Sequence, residues 1–71
     1  MTKDSFTFTI YMIHACSKKW GVKPSQVYKK LKKANGISDF LVRNYEILHT
    51  QSTQFIVEDV EQYLNIRGIR V

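Results

Sequence analysis

Apolar positions along this chain fall three and four residues apart, in runs parted by short polar joints, the spacing of amphipathic helices. The densest run is Phe6 to Trp20. On a helix, Phe6, Ile10, Ile13 and Trp20 share one face, which Phe8, Met12 and Cys16 widen, leaving Thr7, His14 and Lys18 as a narrow polar edge. A helix apolar over most of its circumference needs neighbours on several sides. It is too short, and too interrupted by Thr, His and Ser, for a membrane span of about 20 mostly apolar residues. Asp4 or Ser5 suits its N-cap, and Gly21 its C-terminal stop.

The second helix begins at about Pro24, where a missing N–H costs nothing. Val27, Leu31 and Ala34 make its narrow inner stripe, Lys29, Lys30, Lys32 and Lys33 its outer face, and Asn35-Gly36 its end. A third helix opens near Ser38 or Asp39, with Leu41, Tyr45 and Leu48 inward, broadened by Phe40 and Ile47, and frays at His49-Thr50. After the polar joint Gln51-Ser52-Thr53, the stripe Ile56, Val57, Val60, Tyr63 and Leu64 predicts a fourth helix ending at Gly68. The β-branched run at 55–57 leaves open an extended entry with the helix starting at Glu58. The tail Ile69-Arg70-Val71 is expected to fray. The expectation is a single all-α domain over residues 1–71, a compact set of four short helices with the first and third at its centre.

Composition sharpens this picture in two ways. Nine aromatic side chains in 71 residues are a large apolar load, so the core is ring-rich or some rings face another chain. Charge is uneven: residues 1–36 hold eight lysines and one aspartate, and residues 37–71 three arginines and five acids. The single cysteine, Cys16, on the apolar side of its helix, reads as a buried reduced thiol, which with the absence of a signal-peptide pattern fits a cytoplasmic protein.

Candidate chemistry is sparse. His14 and His49 belong to no ligand cluster, and no glycine-rich phosphate loop, zinc spacing or nucleophile motif is present. The expectation is no enzyme, no cofactor and no metal. Lys23, Lys29, Lys30, Lys32 and Lys33 could contact phosphates, and the run Val22 to Leu48 has a helix–turn–helix outline. Against a nucleic-acid partner, only Ser38, Arg43 and Asn44 in the second half of that outline could read base edges. A solvated lysine face is the simpler account.

The runs Tyr45-Glu46-Ile47-Leu48-His49-Thr50 and Ile56-Val57-Glu58-Asp59 resemble the motifs of a family of short bacterial proteins known only as a domain of unknown function. Two features depart from that family: Ser52 stands where many members have glycine, and the lysine density of the second helix is not part of the pattern. The resemblance implies no activity. It does imply genes found beside a predicted ADP-ribosyltransferase-like toxin, and hence an antitoxin-like or accessory binding protein. In physical terms, Tyr45, Leu48, His49, Thr50 and Asp59 read as structural: Tyr45 and Leu48 face a core, His49 and Thr50 satisfy a helix end, and a His49–Asp59 contact would join two helices.

The resulting expectation is a non-enzymatic protein-interaction module whose partner is a second copy or a toxin-like neighbour, with no membrane involved. A small nucleic-acid-binding regulator using the lysine face is the alternative. The apolar side chains expected to remain outside, and so to bind, are Phe8, Tyr11, Phe55 and Ile66.

Overall fold

The structure, a computed structural model, describes all 71 residues. Every element is helical: α1 (Lys3–Trp20), α2 (Pro24–Lys33), a π-helical segment (Ile37–Val42), α3 (Tyr45–Leu48) and α4 (Thr53–Ile66). The all-α architecture is as the apolar spacing requires. The residues at 55–57 belong to α4, where Ser52 caps the helix by accepting the Phe55 N–H at 3.1 Å and Ile56 and Val57 are buried. Capping and burial together outweigh the strand preference of the triplet.

α1 is the central element, packed against α2, α4 and the π-helical segment. Its N-cap is Thr2 rather than Asp4 or Ser5. Thr2 accepts the Ser5 N–H while the Ser5 hydroxyl accepts the Thr2 N–H, a reciprocal box that satisfies two donors at once. Gly21, at φ 68°, closes the other end in the left-handed conformation that a side chain would oppose.

The inward face of α1 differs from the one that hydrophobicity alone selects. Ser5, Thr9, Met12 and Cys16 are buried, whereas Phe6 is 54% and Ile10 43% exposed, with Ile13 and Trp20 half-buried on the flank. The two hydroxyls bury without loss because each bonds within its own helix. Thr9 Oγ1 donates to the Ser5 carbonyl at 2.7 Å, and Ser5 Oγ to the Thr2 carbonyl at 3.1 Å.

The expected third helix is replaced by two shorter pieces. The chain turns at Asn35 (φ 54°), widens through Ile37–Val42 so that the Arg43 N–H reaches back five residues to Ser38, and resumes as the single turn α3. This stretch therefore flanks the centre instead of forming it. The rest of the core comes from Val27, Leu31, Leu41, Leu48, Val60 and Leu64.

The tail does not splay from the body. The Ile69 N–H bonds the Leu64 carbonyl at 2.9 Å, Ile69 packs half-buried on the core, and Lys30 Nζ donates to the Arg70 carbonyl at 2.8 Å. Gly68 (φ 79°) supplies the left-handed turn that sends the chain back over α2. No helix is long and apolar enough to cross a membrane.

Candidate functional site

The seam between α1 and the α3–α4 side is open along its outer edge. On α1, Asp4, Phe8, Tyr11, Ala15 and Lys18 lie three or four residues apart and so form one flank. Opposite them stand Tyr45 and His49 of the α3 turn, then Thr53 and Val57 of α4. Tyr11 crosses the seam at its middle, its hydroxyl 2.7 Å from Thr53 Oγ1. The crossing divides the groove into a concavity of about 360 Å³ on the Asp4 side and a larger one of about 770 Å³ on the Lys18–Lys19 side. From Asp4 to Lys18 the groove runs about 21 Å, at the 1.5 Å rise of a helix.

The smaller concavity is walled by aromatic rings. Phe8 meets Tyr45 edge-on (centroids 5.3 Å apart, planes at 70°), and Tyr45 stacks on the His49 imidazole (4.7 Å, 17°). The ring orientation of His49 is fixed by Nδ1, 2.9 Å from the Tyr45 carbonyl. A carbonyl only accepts, so Nδ1 is the donor in this contact. Desolvation, then the nearby carboxylates of Asp4 and Glu46, push the Tyr45 hydroxyl pKa upward, so the phenol stays a donor at neutral pH. The geometry of His49 is that of a helix-end ligand. Thr50 acts alike, its hydroxyl donating to the Ile47 carbonyl at 2.7 Å. His49 bonds its own turn, and no hydrogen bond joins it to Asp59, which is half-buried on α4. Leu48 is core.

The side chains that the sequence singles out for binding separate into two groups. Phe8 and Tyr11 both line the groove; Phe8 is half-buried, Tyr11 54% exposed. Phe55 (47% exposed) and Ile66 (73%) lie outside it, near opposite ends of α4 and about 16 Å apart by helical rise. Neither lines the groove with Tyr11. Groove residues that the sequence does not single out for binding include Ala15, Lys19, Thr53 and Val57. Their only signal is their place on a flank, which has no meaning until α1 and α4 are paired.

The lysines of α2 are less uniform than their spacing suggests. Lys23, Lys29 and Lys33 are exposed, Lys32 stands over the Tyr28 ring at 5.7 Å, and Lys30 is half-buried and holds the tail. Lys30 lies only three residues beyond Val27, which places it on the flank of the buried stripe rather than opposite it. The helix–turn–helix outline is also broken, since α3 offers one turn where a groove-reading helix would stand.

Cys16 is fully buried, and desolvation, with a smaller contribution from the Glu61 carboxylate, pushes its thiol pKa up to about 12. It is a packed side chain, with no thiolate at neutral pH. No group of three or more His, Cys, Asp or Glu side chains is placed to hold a metal ion.

Residues 7–67 match the family described as Protein of unknown function (DUF3791), and the chain belongs to it. No curated protein and no solved structure matches the chain. The matched span takes in every groove-lining residue except Asp4.

Proposed function

We propose that this chain is a protein-interaction module that makes no bonds of its own, and that the α1 groove is the face by which it holds another polypeptide. The observation that carries the reading is Tyr11. It is a large ring, 54% exposed, fixed by a hydrogen bond across the seam, between an aromatic concavity and a lysine-edged one. A ring held in place loses little freedom on binding, which is what makes tyrosine an effective interface anchor. The partner class that fits the family resemblance is a toxin-like protein encoded beside this one, with the present chain acting in the cytoplasm as its antitoxin-like or accessory subunit. The test is calorimetric titration of that gene product with the wild type and with Tyr11→Ala. Tyr11→Ala keeps the helical spectrum and weakens association by about 1 kcal/mol or more, roughly five-fold or more. Unchanged affinity would overturn the reading.

A further inference from the structure

The lysines of α2 do not stand alone in the fold. Gly68 turns the chain out of α4 and back over α2, which brings two arginines to the lysine side. Arg67 shares a concavity of about 310 Å³ with Lys33, and Lys29 and Lys30 share another of about 400 Å³ with Val71 of the tail. Lys30 Nζ, 2.8 Å from the Arg70 carbonyl, holds the tail against the helix. Arg67 is fixed as well. Its guanidinium lies 3.5 Å from the centre of the Tyr63 ring, and Nη1 donates to the Tyr63 carbonyl at 3.1 Å. Tyr63 is tied in turn to the end of α2, through the Ala34 carbonyl. The two segments that build this face, residues 22–36 and 62–71, carry five lysines and two arginines of the chain's 11 cations, and no acidic side chain.

We propose that this face binds the phosphate backbone of a nucleic acid without reading its sequence, on a surface separate from the α1 groove. None of its cations lines that groove. From Lys23 to Lys33 the helix rises about 15 Å. That length spans about four successive phosphates of one strand, at about 3.4 Å each. The half-charge at the C-terminus of α2 accounts for cations in its last turn, but Lys23 and Lys29 lie before that turn and Arg70 comes from the tail. The missing recognition helix removes base readout and leaves backbone contacts, which position a protein on nucleic acid without specifying sequence.

An anionic bilayer is the other extended polyanion that such a face could meet. A helix lying in a bilayer interface buries its apolar side there. The apolar stripe of α2, Val27 and Leu31, is fully buried in the core, so α2 has no such side to offer. The net charge of +5 draws the whole molecule toward a polyanion, and the acid-free face orients it. Backbone contacts alone give non-specific binding, with dissociation constants of about 10⁻⁴ to 10⁻⁶ M at physiological salt.

Fluorescence anisotropy of a labelled mixed-sequence DNA duplex, titrated at a series of salt concentrations, tests the assignment. The wild type should bind at low salt, with log K falling against log salt at a slope of about −3.6, the value for four phosphate contacts. Arg67→Gln with Arg70→Gln, and separately Lys29→Gln with Lys33→Gln, should each weaken low-salt binding about ten-fold or more and flatten the slope by about 1.8. Lys29 and Lys33 are exposed, so the second pair keeps the test decisive if loss of Arg67 loosens the tail. Lys18→Gln with Lys19→Gln removes the same net charge from the groove side and should leave the slope nearly unchanged. Absence of binding at low salt, face variants with wild-type affinity, or a groove pair as damaging as the face pairs would each overturn the proposal. So would binding to phosphatidylserine vesicles or to polyglutamate as tight as to the duplex at matched charge concentration, which would give the face to a membrane or to an acidic protein. Tyr11→Ala should bind the duplex as the wild type does, and loss of duplex binding there would remove the separation of the two surfaces on which the assignment stands.

Discussion

α2 and the stretch that follows it, residues 35–52, are neighbours in the chain held in shape by different means. α2 is regular from Pro24 at its first turn to Lys33, and its two buried residues, Val27 and Leu31, are one turn apart. The following stretch contains a residue at positive φ, a buried glycine, a widened turn and a helix of four residues. In α2 the backbone ladder sets the geometry and the side chains follow. In 35–52 packing sets the geometry and the backbone bonds adapt. The widened turn gathers Ile37, Phe40, Leu41 and Val42, all at least half-buried, on the inner side. Asn44 then donates Nδ2 to the Phe40 carbonyl at 2.9 Å, a local side-chain bond that competes with a continued helix.

The comparison is broken most directly at Leu41 and Ile47. A single regular helix with both residues on a broad inner face would penalise truncation of either. In the structure Leu41 is fully buried and Ile47 is 67% exposed. Leu41→Ala should therefore cost about 2–5 kcal/mol in urea unfolding. Ile47→Ala should stay within about 0.5 kcal/mol. Similar losses at both positions would restore the regular helix.

The central helix α1, against which both regions lie, is probed by pH. Cys16 sits in the middle of the α1 core with its thiol pKa raised from 9.0 to about 12, by desolvation first and by the Glu61 carboxylate second. The folded state therefore holds the proton more tightly than the unfolded chain. Its contribution is complete below about pH 9 and is lost as pH rises through the window from 9 to 12. At 1.36 kcal/mol per pKa unit, the loss is about 4 kcal/mol at most. Chemical unfolding at successive pH values should show the decline, and Cys16→Ala, less stable at neutral pH, should show a flatter one. Equal slopes would remove the thiol as the cause.

Gly36 sharpens the contrast between the two regions. Its φ of −70° is ordinary, so the glycine is needed for space: an added Cβ would stand 2.8 Å from Leu31 Cδ2 and 3.2 Å from Tyr63 Cε2. Leu31 is fully buried, and the Tyr63 hydroxyl is tied to the Ala34 carbonyl at 2.9 Å, so neither can move aside freely. Gly36→Ala should cost about 1–3 kcal/mol from overpacking. A neutral or stabilising result in thermal melts would show that α2 and the widened turn are not in fixed contact there.

The same division explains what could be read in the letters. The limits of α2 are local, at Pro24 and at Asn35-Gly36, and the sequence states them. The inner face of α1 is not local. Ser5 and Thr9 look polar until their hydroxyls are seen bonded within the helix, while Phe6 and Ile10 look like core until no element is found to cover them. Tyr11 could be named as an exposed ring from its place on the wheel. Lys18 and Lys19 could not be tied to Thr53, Gln54 and Val57, because they lie far apart in the chain and only the pairing of α1 with α4 sets one wall against the other.

The smallest expected effect is at His49, where the irregular stretch meets the groove. Removing a side chain that caps a buried carbonyl would leave an acceptor unpaired and cost the full desolvation penalty. His49 is different. The Tyr45 carbonyl that accepts Nδ1 also accepts the His49 N–H at 2.9 Å, and that backbone bond survives truncation. The imidazole is exposed, so water replaces the lost side-chain bond, and Tyr45 keeps its edge contact with Phe8. His49→Ala should thus cost no more than about 1 kcal/mol, the net value of one solvent-accessible hydrogen bond. Tyr45→Ala, which loses contacts with both Phe8 and His49, should cost clearly more in the same melts. If His49→Ala proved the more damaging of the two, the histidine would be holding something other than its own turn, and the tie to Asp59 would be the first place to look.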